Sequence, residues 1–284
     1  MLRGVHVLLT YRCTHECDHC FVYSSPRARG TFTLAALQEV VAQAAAVGGV
    51  EEFWFEGGEP FLYYPLLLQG LREARDAGFS TGVVTNAYFA ETEEDAALWL
   101  APLAELGVGS LALSDDAFHH GAQGESPAAR ARRAAERLGI PVGSIAIPHP
   151  DEGEGVRFRG RAADTLVEGL ARRPARTFPE CPDEDLRDPD RVHVDAHGNV
   201  HLCQGLLLGN LRVVPLARLL SEWDPDADPV VGPLLRGGPA ELARVHGFDT
   251  GAGYVSACHL CYRVRHALRE RYPSSLGPPS VYGE

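Results

Sequence analysis

Residues 4–20 read GVHVLLTYRCTHECDHC. The apolar run VHVLL (5–9) has the composition of a β-strand, and three cysteines, Cys13, Cys17 and Cys20, follow it at offsets of four and three. The opening MLRGVHVLLTY is too short and too interrupted for a secretory signal, and no apolar run approaches a membrane span, so a cytoplasmic protein with no membrane partner is expected. In a reducing compartment, thiols this close together point to metal or redox chemistry rather than to disulfides.

Outward from this stretch, short apolar runs alternate with helical patterns. LAALQEVVAQAAAV (34–47) reads as an amphipathic helix with Thr33 as its N-cap. Strands are expected at 51–58, 80–86, 110–116 and 141–147, with a sixth at 155–160. Helices are expected at 64–78, 92–106, 128–139 and 163–173. Repeated βα units imply parallel strands covered by helices, and five or six of them suit a partial (β/α)6 TIM-type barrel over residues 1–175. The cysteine triad, EGGEP (56–60), TN (85–86) and SDD (114–116) all end strands, so they share one rim.

After about residue 175 the texture changes. RVHVDAHGNVHLC (191–203) reads as a hairpin, helical segments follow at 215–222 and 239–246, and ACHLCYRVRHALRERY closes the pattern. A small α+β hairpin-and-helix domain is expected over 176–272, with a loose tail at 273–284.

Composition excludes several classes. The chain has no lysine, so its 26 cationic side chains are all arginine, which rules out a pyridoxal phosphate Schiff base and a P-loop lysine. A net charge of −12 argues against a nucleic-acid partner.

Three thiolates suit zinc or an iron–sulfur cluster. Zinc sites usually close with four protein ligands, whereas three cysteines on a [4Fe–4S] cube leave one iron open for another ligand. Cys-x3-Cys-x2-Cys on a loop after the first strand resembles the signature of the radical S-adenosylmethionine (SAM) enzymes. The resemblance implies that the open iron chelates SAM, and that one electron from the cluster cleaves the sulfonium to a 5′-deoxyadenosyl radical, which takes a hydrogen atom from substrate. EGGEP resembles that family's GGE motif, which implies that Gly57, Gly58 and Glu59 hold the methionine ammonium. Alone, EGGEP would read as a strand-to-helix turn. By the same resemblance, Asn86 stands near the nucleoside, and Ser114 and Asp116 match an S-x-D segment with Arg130 as a partner for the SAM carboxylate. The family often has an aromatic residue before the third cysteine. Here it is His19, with Phe21 next to the triad as a second ring for the adenine.

The other cysteines are Cys181, Cys203, Cys258 and Cys261, a complete four-thiolate set. Such a set could bind zinc as a ribbon does. In this context it resembles the twitch domain, a shortened relative of the SPASM domain, in which a hairpin and helix carry an auxiliary [4Fe–4S] cluster. The cysteine order is most similar to that of the inosamine dehydrogenases of aminoglycoside pathways. A fully ligated cluster would take an electron from a substrate radical, so net oxidation is expected, with a small molecule as substrate and flavodoxin or ferredoxin as electron donor. Three plus four uses every cysteine, leaving no thiol to return a hydrogen atom.

The first strand begins by residue 5, so no leader-peptide-binding domain is expected ahead of it. Arg157, Arg159 and Arg161 stand where one could face the cavity and bind an anion, and His119 and His120 are candidates for proton removal. Peptide modification is the enzymatic alternative. A non-catalytic iron–sulfur or zinc scaffold is the alternative of another class.

Overall fold

The computed structural model describes residues 2–121, 124–251 and 253–284. The strand that opens the sequence, β1 (Gly4–Thr10), divides its side chains by alternation: Val5, Val7 and Leu9 enter the main core, while Leu8 packs in a second cluster on the opposite face. α1 (Leu34–Val47) follows, its first turn capped by the Thr33 side chain as expected. β2 (Glu52–Gly57), α2 (Tyr64–Asp76), β3 (Ser80–Thr85), α3 (Glu93–Glu105), β4 (Ser110–Ser114), the short α4 (Ala117–His120), α5 (Pro127–Arg137) and β5 (Val142–Ile145) complete the βα series. β1 to β5 pair in parallel, and Phe53, Phe55, Leu37, Leu67 and Leu71 fill the core between sheet and helices.

The sixth strand is not where the sequence pattern places it. Residues 155–160 form no strand: Gly160 turns the chain at φ 58°, and Arg157 and Arg159 are drawn to Asp183 and Glu184. The helix expected at 163–173 shrinks to α6 (Ala162–Thr165), because Gly169 at φ 73° and an Arg173–Tyr254 bridge redirect the chain. The sheet instead grows on its other edge, where β6 (Arg191–Asp195) pairs in parallel with β1, matching Val5 with Val192 and Val7 with Val194. β7 (Asn199–Cys203) and β8 (Leu206–Asn210) add antiparallel, so the expected hairpin continues the first sheet. The result is an α/β fold on one eight-stranded sheet of order β5-β4-β3-β2-β1-β6-β7-β8.

α7 (Leu216–Glu222), α8 (Val231–Val245), kinked at Gly237–Gly238, and α9 (Ala257–Leu268) follow. The tail is not loose. Val281 and Tyr282 are buried, and the Tyr282 hydroxyl donates to the Gly205 carbonyl.

Candidate functional site

Parallel strands present their C-terminal ends on one side, and the loops there enclose a cavity of about 430 Å³. Cys13, Cys17 and Cys20 all line it. The Cys13 sulfur accepts from the His15 amide at 3.4 Å and the Asn86 side-chain amide at 3.5 Å, and the Cys20 sulfur accepts from the Ser24 amide at 3.3 Å. Burial pushes the Cys13 thiol up to about 11 and the Cys17 thiol to about 12. Thiolates here therefore need a cation to hold them, and amide donors aimed at sulfur are what an iron–sulfur cluster uses. The donor set fits a three-cysteine cube.

Gly57 and Gly58 also line the cavity. The Gly58 amide donates to the Thr10 carbonyl at 2.7 Å and the Glu59 amide to the Arg12 carbonyl at 2.9 Å, so this turn is sewn onto the loop that carries the cysteines. The Glu59 side chain does not face the cavity. Fully buried, it accepts from the Phe61 amide, the Thr85 hydroxyl and the Asn86 amide at 2.8–3.0 Å. Burial pushes its carboxyl up to about 7 against the pull of those bonds. Glu59 thus holds Asn86, which in turn donates to Cys13 and, at 3.0 Å, to Thr14.

At the end of β4, Ser114 and His119 line the cavity, and Asp116 caps α4 from behind. Asp116 accepts from the Phe118 and His119 amides and pairs with His119 Nδ1 at 2.8 Å. His19 lines the cavity but is already stacked on Phe118, with centroids 4.6 Å apart, and burial pushes it down to about 4. Phe21 keeps a place in the wall. His120 is turned to the Ser114 carbonyl. Arg130 is not brought to the cavity: it donates to the carbonyls of Ala90 and Glu125.

The four remaining thiols come together. Cys181, Cys203, Cys258 and Cys261 line one small cavity with Arg159 and Arg265. Arg159 donates to the Cys203 sulfur at 2.8 Å, and Arg265 approaches it at 4.0 Å. Burial pushes the thiols of Cys181 and Cys258 up and that of Cys261 to about 11, so this set also needs a positive centre. The three expected arginines separate in role. Arg157 pairs with Asp183 and Glu184, and Arg161 donates to the Cys17 and Ser24 carbonyls, pinning the first cysteine loop. Arg159 lines both cavities.

Some members of these sites were missed in the sequence. Arg265 follows Cys261 by four residues, one helical turn along α9, a spacing that places both on one face. Glu56, which also lines the first cavity, breaks the apolar run of β2 on the face opposite the core, where alternation alone marks it.

Three thiols and a glycine turn meet at the C-terminal rim of a parallel βα sheet, a donor set that fits an iron–sulfur cluster with one iron left open. Residues 7–154, just over half of the chain, match the Radical SAM superfamily, and the chain belongs to it. Membership implies a [4Fe–4S] cluster and SAM. YydG of Bacillus subtilis (strain 168), named for peptide biosynthesis, is 25% identical over 117 residues, 41% of this chain and 37% of YydG. Among solved structures, BtrN in complex with AdoMet and 2-DOIA has the same fold at a TM-score of 0.53, with 17% identity over 77% of this chain and 82% of BtrN. Native anSMEcpe with bound AdoMet matches at a TM-score of 0.46, with 15% identity over 78% of this chain and 80% of that one. Among the described residues, no helix is long and apolar enough to cross a membrane.

Proposed function

We propose that this protein is a radical SAM oxidoreductase that oxidises a small molecule, with an auxiliary [4Fe–4S] cluster on Cys181, Cys203, Cys258 and Cys261 as electron acceptor. Cys13, Cys17 and Cys20 hold the first cluster, whose chemistry when bound is one-electron cleavage of SAM followed by hydrogen-atom abstraction. The backbone of Gly57 and Gly58 receives the methionine end of SAM, and Asn86 steadies Cys13. His119, paired with Asp116, takes the proton a substrate alcohol or amine releases. A cluster held by Cys181, Cys203, Cys258 and Cys261 would supply the acceptor for the substrate's second electron. On this reading residues 1–175 carry the radical chemistry, 176–272 carry the acceptor, and flavodoxin or ferredoxin supplies the priming electron.

The observation that carries the reading is Arg159. It is 6% exposed, forms part of the wall of both cavities, and sets a guanidinium against Cys203. A positive charge hydrogen-bonded to a ligating sulfur stabilises the reduced cluster, as an electron acceptor requires. In the Arg159→Gln variant, iron content stays at the wild-type value and the auxiliary cluster's midpoint potential falls by on the order of 60 mV, tenfold for a one-electron couple. Redox titration followed by electron paramagnetic resonance reads this shift, and an unchanged potential removes Arg159 from the account.

The reaction is tested by product analysis under anaerobic turnover. One SAM consumed per product, with the product two electrons more oxidised than the substrate, supports the proposal; a redox-neutral product with SAM regenerated defeats it. A second reading, modification of a peptide, draws on the similarity to YydG. It predicts turnover on a short precursor peptide and none on polyols or amino sugars.

A further inference from the structure

Beneath the cavity lies a cluster that the radical chemistry does not use. His6 on β1, Glu56 on β2 and His193 on β6 come from three neighbouring strands, and register places His6 beside both Trp54 and His193. One ligand atom from each of the three falls within 4.8 Å of the others. Glu56 Oε1 is 3.0 Å from His193 Nε2 and 3.6 Å from His6 Nδ1. Two imidazoles and a carboxylate bound to one ion at 2.0–2.1 Å in tetrahedral geometry would stand about 3.3 Å apart, between these two distances.

Orientation argues the same way. At 3.0 Å a hydrogen bond between His193 and Glu56 would be expected, yet Glu56 Oε1 is buried with no hydrogen-bond partner among the described residues, and so is His6 Nδ1. The atoms are close without aiming at one another, as ligands do when their lone pairs converge on a point between them. The rings are also held in place. His6 stacks on Trp54 at 5.7 Å and meets His193 edge-on at 5.1 Å. The three side chains are 7–17% exposed. Glu56 itself forms part of the cavity lining, directly before Gly57.

We propose that His6, Glu56 and His193 form a mononuclear site for a divalent first-row metal of the zinc class at the floor of the SAM cavity. Two imidazoles and one carboxylate leave coordination positions open, and the Glu56 side of the site meets the cavity, so the ion can bind an oxygen of the substrate and orient it. The site needs none of the seven cysteines, and its zinc readout rests on the proposed reading that both thiol sets are filled by iron–sulfur clusters.

The test uses the enzyme with its clusters reconstituted, so that thiols are occupied, and zinc as probe. After a chelator wash, addition of zinc and gel filtration, the wild type is expected to retain one zinc per chain. Glu56→Gln and His193→Asn are each expected to weaken retention at least about 10- to 100-fold with iron content unchanged. X-ray absorption at the zinc edge of the wild type is expected to show nitrogen and oxygen at about 2.0 Å and no sulfur. A wild type that retains no zinc, variants that retain it equally, or sulfur in the zinc shell would each overturn the site. If both variants misfold, the wild-type spectrum decides.

Discussion

Gly58→Ala will cost this enzyme at least about 100-fold in SAM cleavage, the scale of a misplacement of about 1 Å at a reacting centre. A β-carbon on Gly58 would lie 2.1 Å from the Arg12 carbonyl oxygen and 2.8 Å from that of Tyr11. Both obstacles are backbone of the loop leading to Cys13, so no side-chain rotation relieves the clash. Turn and cysteine loop must part, breaking the Gly58–Thr10 and Glu59–Arg12 bonds. Overpacking of this kind costs about 3 kcal/mol, enough to move the loop and not enough to unfold a chain of this size. Gly143→Ala is the control: on β5, with nothing within 4 Å of the new methyl, it should leave 5′-deoxyadenosine formation unchanged. Equal rates for Gly58→Ala and wild type would show that turn and loop are not coupled.

Asp195→Ala should be the most destabilising single change in the β6–β7 turn. Its buried carboxylate accepts from the Tyr11 hydroxyl, the amides of His197 and Asn199 and the Asn199 side chain at 2.8–2.9 Å, and pairs with His201 at 3.3 Å. Tyr11 stands two residues before Cys13, so this hub ties the extended sheet edge to the cluster loop. Removing one partner from a buried charged network costs about 3–5 kcal/mol, measurable by urea denaturation. Its pH dependence is distinctive. Burial raises the carboxyl, but His201 and the Asn199 donors outweigh it and hold the value at about 2, below the ordinary 3.8. Stabilisation of this sign is present above pH 4 and is lost as pH falls towards 2, amounting to about 2 kcal/mol. The difference in stability between wild type and variant should therefore shrink by that amount between pH 5 and pH 2. A constant difference would mean that Asp195 acts through packing alone.

What was legible in the sequence follows from how local each signal is. The cysteine spacing, the glycine turn and the cap at Thr33 involve neighbours in the chain, and periodicity marks β1 to β4 and their helices. Pairing of β6 with β1 is a contact across about 185 residues that no local pattern encodes, and the valines of RVHVD suit either sheet edge. GVRFRG alternates like a strand, yet its arginines find acids and sulfur in the C-terminal region, and that pull outweighs the alternation. Glu59 looked like an ammonium acceptor by type. Its use as an internal bracket for Asn86 depends on where β3 ends, which is a tertiary fact. His6, Glu56 and His193 are likewise brought together only by strand register.

The central claim, two four-iron clusters on separate cysteine sets, is tested most directly by counting iron. After anaerobic reconstitution and a chelator wash, the wild type should hold about eight irons per chain, and the Cys13/Cys17/Cys20 triple alanine variant about four. About four irons falling to nearly none, with zinc retained on the C-terminal thiols, would contradict it and make that site structural, and net oxidation through a second cluster would fall with it.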